Sequence, residues 1–152
     1  MKRLLAALTV IASLALRSSA SSSSAAPEPR DLSLRDLTRL EATWAKQRIT
    51  RYAFTLERSC YCAPRLMSAS FLVSGAISTM QRGSDKSARA TLQGFVSIPK
   101  LLAQMRSTLE QSGRVAVVLN PQRTLPLRVI LDPLPRATDD EQYLSITAFE
   151  RR

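Results

Sequence analysis

The hydrophobic period of this chain changes several times along its length, and each change marks an element. Ser33-Leu34-Arg35-Asp36 has the form of a capping box, with a serine hydroxyl placed for the first free backbone N–H groups of a helix. Leu34, Leu37, Leu40 and Trp44 then recur at helical spacing, predicting one apolar stripe on a helix that ends near Arg48. Trp44, the only tryptophan, reads as core. From Thr50 the period drops to two. Tyr52, Phe54 and Leu56 face one way and Arg51, Thr55 and Glu57 the other, as a half-buried antiparallel strand requires. Residues two apart on a strand share a face, so the same alternation carries Arg58, Cys60 and Cys62 to the side of Leu56.

Ala63-Pro64 breaks this ladder, since proline lacks the N–H that a strand needs. A second alternation follows through Met67, Ala69, Phe71 and Val73, then Ser74-Gly75 as a tight turn and Ala76 to Met80 as the returning strand. Gln81 to Ala90 is polar and predicts a loop. Ser97-Ile98-Pro99 opens a second helix, with serine as N-cap and proline in the first turn. Leu101, Leu102, Met105 and Leu109 form its apolar side, and Gly113 is placed to stop it. Two strands follow, Arg114 to Leu119 and Leu127 to Asp132, joined by Asn120-Pro121-Gln122-Arg123 and closed by Pro126. A last strand, Gln142 to Phe149, alternates Tyr143, Ser145 and Thr147 against Leu144, Ile146 and Ala148. The predicted class is α+β: an antiparallel sheet of about five to six strands, with two helices packed on one face, in the order α-β-β-β-α-β-β-β.

Length then limits the number of cores. The 152 residues, 45% hydrophobic, suit a single domain over residues 31–152 after a targeting segment. Met1-Lys2-Arg3 is a short basic head, Leu4 to Leu16 an apolar run of signal-peptide length, and Ser18-Ser19-Ala20 a small-residue cleavage region, giving a signal peptide over residues 1–20. The apolar run is too short to span a bilayer, so no transmembrane segment remains once the leader is removed. Secretion or periplasmic export is the expected localisation, and organelle targeting the alternative, because the start is also Arg- and Ser-containing and poor in acids. Residues 21–30 read as a Ser/Ala/Pro-rich linker.

The formal charge of +10 comes from 22 basic and 12 acidic side chains, and the basic residues are dispersed rather than massed in one block. Such a surface attracts anionic polymers through long-range electrostatics. With aromatic residues at 5%, the stacking platforms of single-strand readers are scarce, so specific nucleic-acid binding is not expected.

The chemistry is bounded mainly by what is missing. No histidine occurs, which removes Ser-His-Asp and Cys-His catalysis, histidine-ligated zinc or copper and the commonest general base. Neither glycine-rich phosphate-binding motif is present among four glycines, and no cofactor is implied. Carboxylate chemistry stays open through Asp132 and the triplet Asp139, Asp140 and Glu141, for which a solvated acidic loop paired with arginines is the simpler account; a calcium site needs more oxygen ligands than one triplet supplies. Cys60 and Cys62 admit three readings. In an oxidising compartment they pair as a local disulfide staple, although an i, i+2 spacing of about 6.7 Å in extended chain lies at the upper edge of disulfide geometry and asks for a kink. As thiols they serve a redox or metal-handling role, with Arg58 lowering a thiol pKa; two sulfurs fill half a tetrahedral zinc site, so a metal then needs a dimer or a partner. Otherwise they are buried free thiols.

Several of these residues together resemble a known pattern. Trp44, Tyr52, Phe54, Leu56, Ser59, Cys60 and Cys62, then Gly75, Phe95, Pro126, Asp132 and Asp139-Asp140-Glu141 are similar to domain of unknown function family 6174, over roughly residues 40 to 149. The resemblance, to a family of exported proteins and lipoproteins with a Cys-aromatic-Cys signature, implies export and no established activity; with no cysteine near the cleavage region, anchoring through an acylated N-terminal cysteine is not expected here. Tyr61 stands here for the usual phenylalanine, and Thr124-Leu125-Pro126 for a Gly-Tyr-Pro turn. The combined expectation is an exported binding or structural module without a catalytic site, whose partner is an envelope or extracellular protein or an anionic polymer. The alternative is a thiol-dependent redox or metal-handling protein.

Overall fold

The computed structural model describes residues 27–60, 63–81, 86–137 and 140–152. Its frame is one fully antiparallel sheet of β1 (Arg30–Asp31), β2 (Arg51–Cys60), β3 (Ala63–Ser74), β4 (Ile77–Met80), β5 (Arg114–Leu119), β6 (Pro126–Asp132) and β7 (Gln142–Arg151), in the spatial order β1-β5-β6-β7-β2-β3-β4. The helices are α1 (Leu34–Lys46), α2 (Lys86–Leu92) and α3 (Ile98–Glu110), with a 3-10 turn at Gln93–Phe95. α1 lies against α3, α3 over β5 and β6, and α2 over β3.

The antiparallel α+β plan agrees with the sequence, but the count and order do not. Among the described residues there are seven strands rather than five or six, and three helices rather than two. The extra strand is Arg30–Asp31, whose side chains are both exposed. It extends the sheet past β5 by backbone pairing alone, so no hydrophobic period announces it, and Arg30 belongs to the sheet rather than to the linker. The extra helix replaces part of the loop predicted for Gln81 to Ala90. In its seven residues Ala88 and Leu92 are buried, and two apolar positions one turn apart are too few to reveal a helix by period.

Where the pattern is long, it holds. The Ser33 Oγ accepts from the Asp36 backbone N–H at 3.1 Å and donates to the Asp36 carboxylate at 2.7 Å, which makes Ser33 the predicted N-cap. Leu37, Leu40 and Trp44 are buried, whereas Leu34, in the first turn, is 41% exposed. Trp44 packs edge-on against Tyr52 and Phe149, with ring centroids 5.6 and 5.9 Å apart. Gly75, at φ +59°, makes the β3–β4 turn in the left-handed region that glycine adopts at little cost.

The last strand departs from simple alternation. Thr55 pairs with Ala148 but Leu56 with Ile146, so β7 carries a bulge that holds Thr147 as an extra residue. Phe149 instead of Ala148 therefore follows Leu144 and Ile146 onto the helix side, where it meets Trp44 and Tyr52.

The helix-covered face holds the core, including Tyr52, Phe54, Leu56, Phe71, Val117 and Leu144. On the opposite face no helix packs among the described residues. Polar cross-strand pairs such as Thr55 and Ser70, hydroxyl to hydroxyl at 2.8 Å, occupy it.

Candidate functional site

The two stretches that the sequence marks for chemistry arrive at the same end of the sheet. β2 ends at Cys60, which pairs with Ala63 on one side and with Gln142 on the other. Gln142 in turn pairs with Leu131, one residue before the end of β6. The hairpin carrying Cys60 is thus one strand away from the segment between β6 and β7 that carries Asp140 and Glu141.

The strand is described as far as Cys60. Cys62 lies outside the described residues, so its sharing a face with Cys60 does too. Pro64 is the second residue of β3 rather than the break before it, and the pairing of β2 with β3 shifts between Arg58 and Cys60. Cys60 is half-buried, and there is no free cysteine among the described residues. Arg58, two residues before it on the same face, sits opposite Leu144 and Met67. Its Nε is buried without a partner, and burial pushes its guanidinium pKa down.

Of the acidic triplet, Asp139 lies outside the described residues. Asp140 accepts from the Leu134 backbone N–H at 2.9 Å through Oδ2, while its Oδ1 is buried and unpartnered. The Glu141 carboxylate accepts from the Tyr143 hydroxyl. Asp132, the last residue of β6, is only 6% exposed, and its Oδ1 also has no partner. Burial pushes the Asp132 pKa up, Asp140 and Glu141 push it further the same way, and Arg114 opposes them. Arg114 does not spend itself on the triplet: its Nε bonds Asp31 Oδ1 at 2.8 Å, and that bond raises its pKa. The cluster is thus partly covered, with more carboxylates than cations.

No three cysteine or carboxylate side chains converge to hold a metal ion among the described residues. Strand ends fix Asp132 and Cys60.

A site the sequence does not reveal lies at the other end of the β5–β6 pair. A cavity of about 250 Å³ is lined by Arg30, Arg39 and Arg123 together with Leu32, Leu40 and Leu119. These residues come from β1, the link to α1, α1 itself, β5 and the β5–β6 loop, so no local motif joins them. The one local signal is Asn120, whose type at a loop start favours side-chain capping of a turn.

An antiparallel sheet with helices on one face, bearing a half-buried cysteine and a carboxylate cluster at one end, defines an α+β protein with a polar rim. A family model described as "Family of unknown function (DUF6174)" matches residues 36–151, from inside α1 to the last residue of β7, and the chain belongs to that family. No curated protein and no solved structure matches the chain.

Proposed function

We propose that this protein is an exported binding module without a catalytic site, in which Cys60 and Cys62 form a disulfide at the tip of the β2–β3 hairpin. The observation that carries this reading is the state of Cys60. No free cysteine is found among the described residues, and the chain contains only two cysteines. The pairing of Cys60 with Ala63 also eases the geometric objection. It sets the start of β3 opposite the end of β2, and a turn in place of extended chain would bring an i, i+2 pair closer than roughly 6.7 Å, into the normal disulfide range. Such a bond belongs to an oxidising compartment, in keeping with the basic head and apolar run of residues 1–16. No helix among the described residues is long and apolar enough to cross a membrane.

With a closed loop this short, the bond adds little to global stability. Its work is local: it holds the hairpin tip in one shape beside the Asp132, Asp140 and Glu141 cluster, which gives a polar rim suited to an envelope or extracellular protein. A thiol-dependent redox role is the second reading, favoured by Arg58. A half-buried guanidinium on the Cys60 face stabilises a thiolate and so makes a bond easier to reduce.

Thiol titration of the native protein, with and without mild reductant, separates the two. The binding-module reading expects no titratable thiol before reductant and slow, incomplete release after it. Rapid reversible cycling, or metal bound in stoichiometric amount, transfers the assignment to the redox or metal-handling reading.

A further inference from the structure

We infer that the cavity between α1 and the β5–β6 loop binds an oxyanion of the phosphate type that carries a small apolar substituent. This goes beyond the proposed function and holds whether or not Cys60 and Cys62 are bridged. The first ground is the lining. Three arginines and one carboxylate, Asp36, surround an apolar floor of Leu32, Leu40 and Leu119, and Leu32 and Leu40 are buried. Arginine presents a planar fork of donors that matches phosphate oxygens, while leucine accepts an apolar group and offers an anion nothing. The volume of about 250 Å³ has room for a phosphomonoester with one ring.

The second ground is that the cavity arginines are left largely uncommitted, as the exposed Arg35, Arg48, Arg51 and Arg136 also are, whereas the arginines that serve the fold are engaged. Arg106 clamps α1 to α3 through Glu41, with Nε to Oε1 at 3.1 Å. Arg114 holds Asp31, Arg128 donates to the Pro27 carbonyl, and Arg151 donates to Gln47. Arg30 and Arg123, at the cavity, have no side-chain hydrogen bond or ion pair among the described residues. Arg39 has a single contact, Nη1 to Asp36 Oδ1 at 3.4 Å. Asp36 is itself engaged by the Ser33 hydroxyl at 2.7 Å, so the lining keeps a positive balance.

The third ground is Arg123 itself. Its φ of +56° lies in the left-handed region, where an L side chain is strained and glycine is not. The loop enforces this conformation: Asn120 Oδ1 accepts from Thr124 N at 2.7 Å and from Leu125 N at 2.9 Å, and Arg123 N donates to the Asn120 carbonyl at 2.8 Å. The loop therefore presents the Arg123 side chain to the cavity from a fixed backbone.

The test is calorimetric titration of the full chain with inorganic phosphate, phenyl phosphate and phenol, and with phosphatidylglycerol or phosphatidylcholine vesicles. Phenyl phosphate is expected to bind more tightly than inorganic phosphate, and phenol not at all. Arg123→Gly and Arg30→Gln are each expected to weaken phenyl phosphate about tenfold, as loss of one charged hydrogen bond does. Arg48→Gly is the control, because Arg48 is also exposed and left-handed, at φ +50°, but does not line the cavity; it should bind as the unaltered chain does. Both glycine variants should melt at or above the parent temperature, so lost binding cannot be laid to unfolding. Phosphatidylglycerol binding that is lost in Arg123→Gly identifies the anion as a lipid headgroup, whereas phenyl phosphate binding without vesicle binding identifies a soluble ester. Equal losses in Arg48→Gly and Arg123→Gly, undiminished binding in Arg123→Gly, or no binding of phenyl phosphate would overturn the inference.

Discussion

Asp132 and Asp36 are both aspartates, yet their surroundings move them in opposite directions. The Ser33 hydroxyl holds Asp36 below its ordinary pKa of 3.8, so Asp36 supports the fold above that value and its support fades as pH falls through the lowered folded value. Burial lifts Asp132 above 3.8, so the folded chain binds its proton more readily than the unfolded chain. Its ionised form therefore costs stability at neutral pH, and that cost disappears as pH falls through the raised folded value toward 3.8. Asp132→Asn is expected to raise the melting temperature at pH 7 and to lose that advantage on acidification; a variant less stable at neutral pH would refute this sign. Gly113 teaches a related lesson. The sequence places it as the glycine that stops α3, but the left-handed residue there is Ser112, at φ +64°. Gly113 is glycine because a Cβ would stand 2.7 Å from Thr108 Cγ2 and 2.8 Å from the Asp132 carbonyl. Gly113→Ala should cost about 1–3 kcal/mol by overpacking, measured by urea unfolding. A letter shows that glycine is there, but not whether torsion or crowding requires it.

At the scale of elements, legibility followed length. α1 and α3 each carry a serine cap and a multi-turn apolar stripe, and both appear where the pattern puts them. α2 and β1 rest on two to seven residues and take their stability from neighbours, which a local period cannot record. The bulge in β7 was hidden for another reason: Thr147, Ala148 and Phe149 fit either phase of an alternation, and only the pairing with β2 decides which of them turns inward. One contact between elements was invisible in the sequence for the same reason. Tyr52 reads as a core-facing strand residue, but its hydroxyl also accepts from the Ile98 backbone N–H at 3.0 Å, in the first turn of α3. Burial raises the phenol pKa and keeps it protonated. Tyr52→Phe strands that buried N–H and should cost about 1–3 kcal/mol, with the loss of amide protection concentrated at Ile98. Unchanged stability would show that water replaces the phenol.

At the scale of the whole molecule, the sheet order explains what the candidate site owes to topology. Cys60 and Glu141 are far apart in sequence, yet β7 lies between β6 and β2 and brings their ends together. The residue types at that end were readable, but their meeting was not, because strand order is a property of the assembled sheet. The arginine cavity is the stronger example, since its lining joins two stretches far apart in sequence, 30–43 and 119–123. The account rests centrally on export and on a closed cysteine pair at the hairpin tip. Intact-mass analysis of the protein recovered separately from the cell interior and from the envelope or medium tests both at once. The account predicts an exported species that lacks the N-terminal leader and is lighter by two hydrogens than its reduced form. A full-length chain retained inside the cell, with both thiols free, would contradict it.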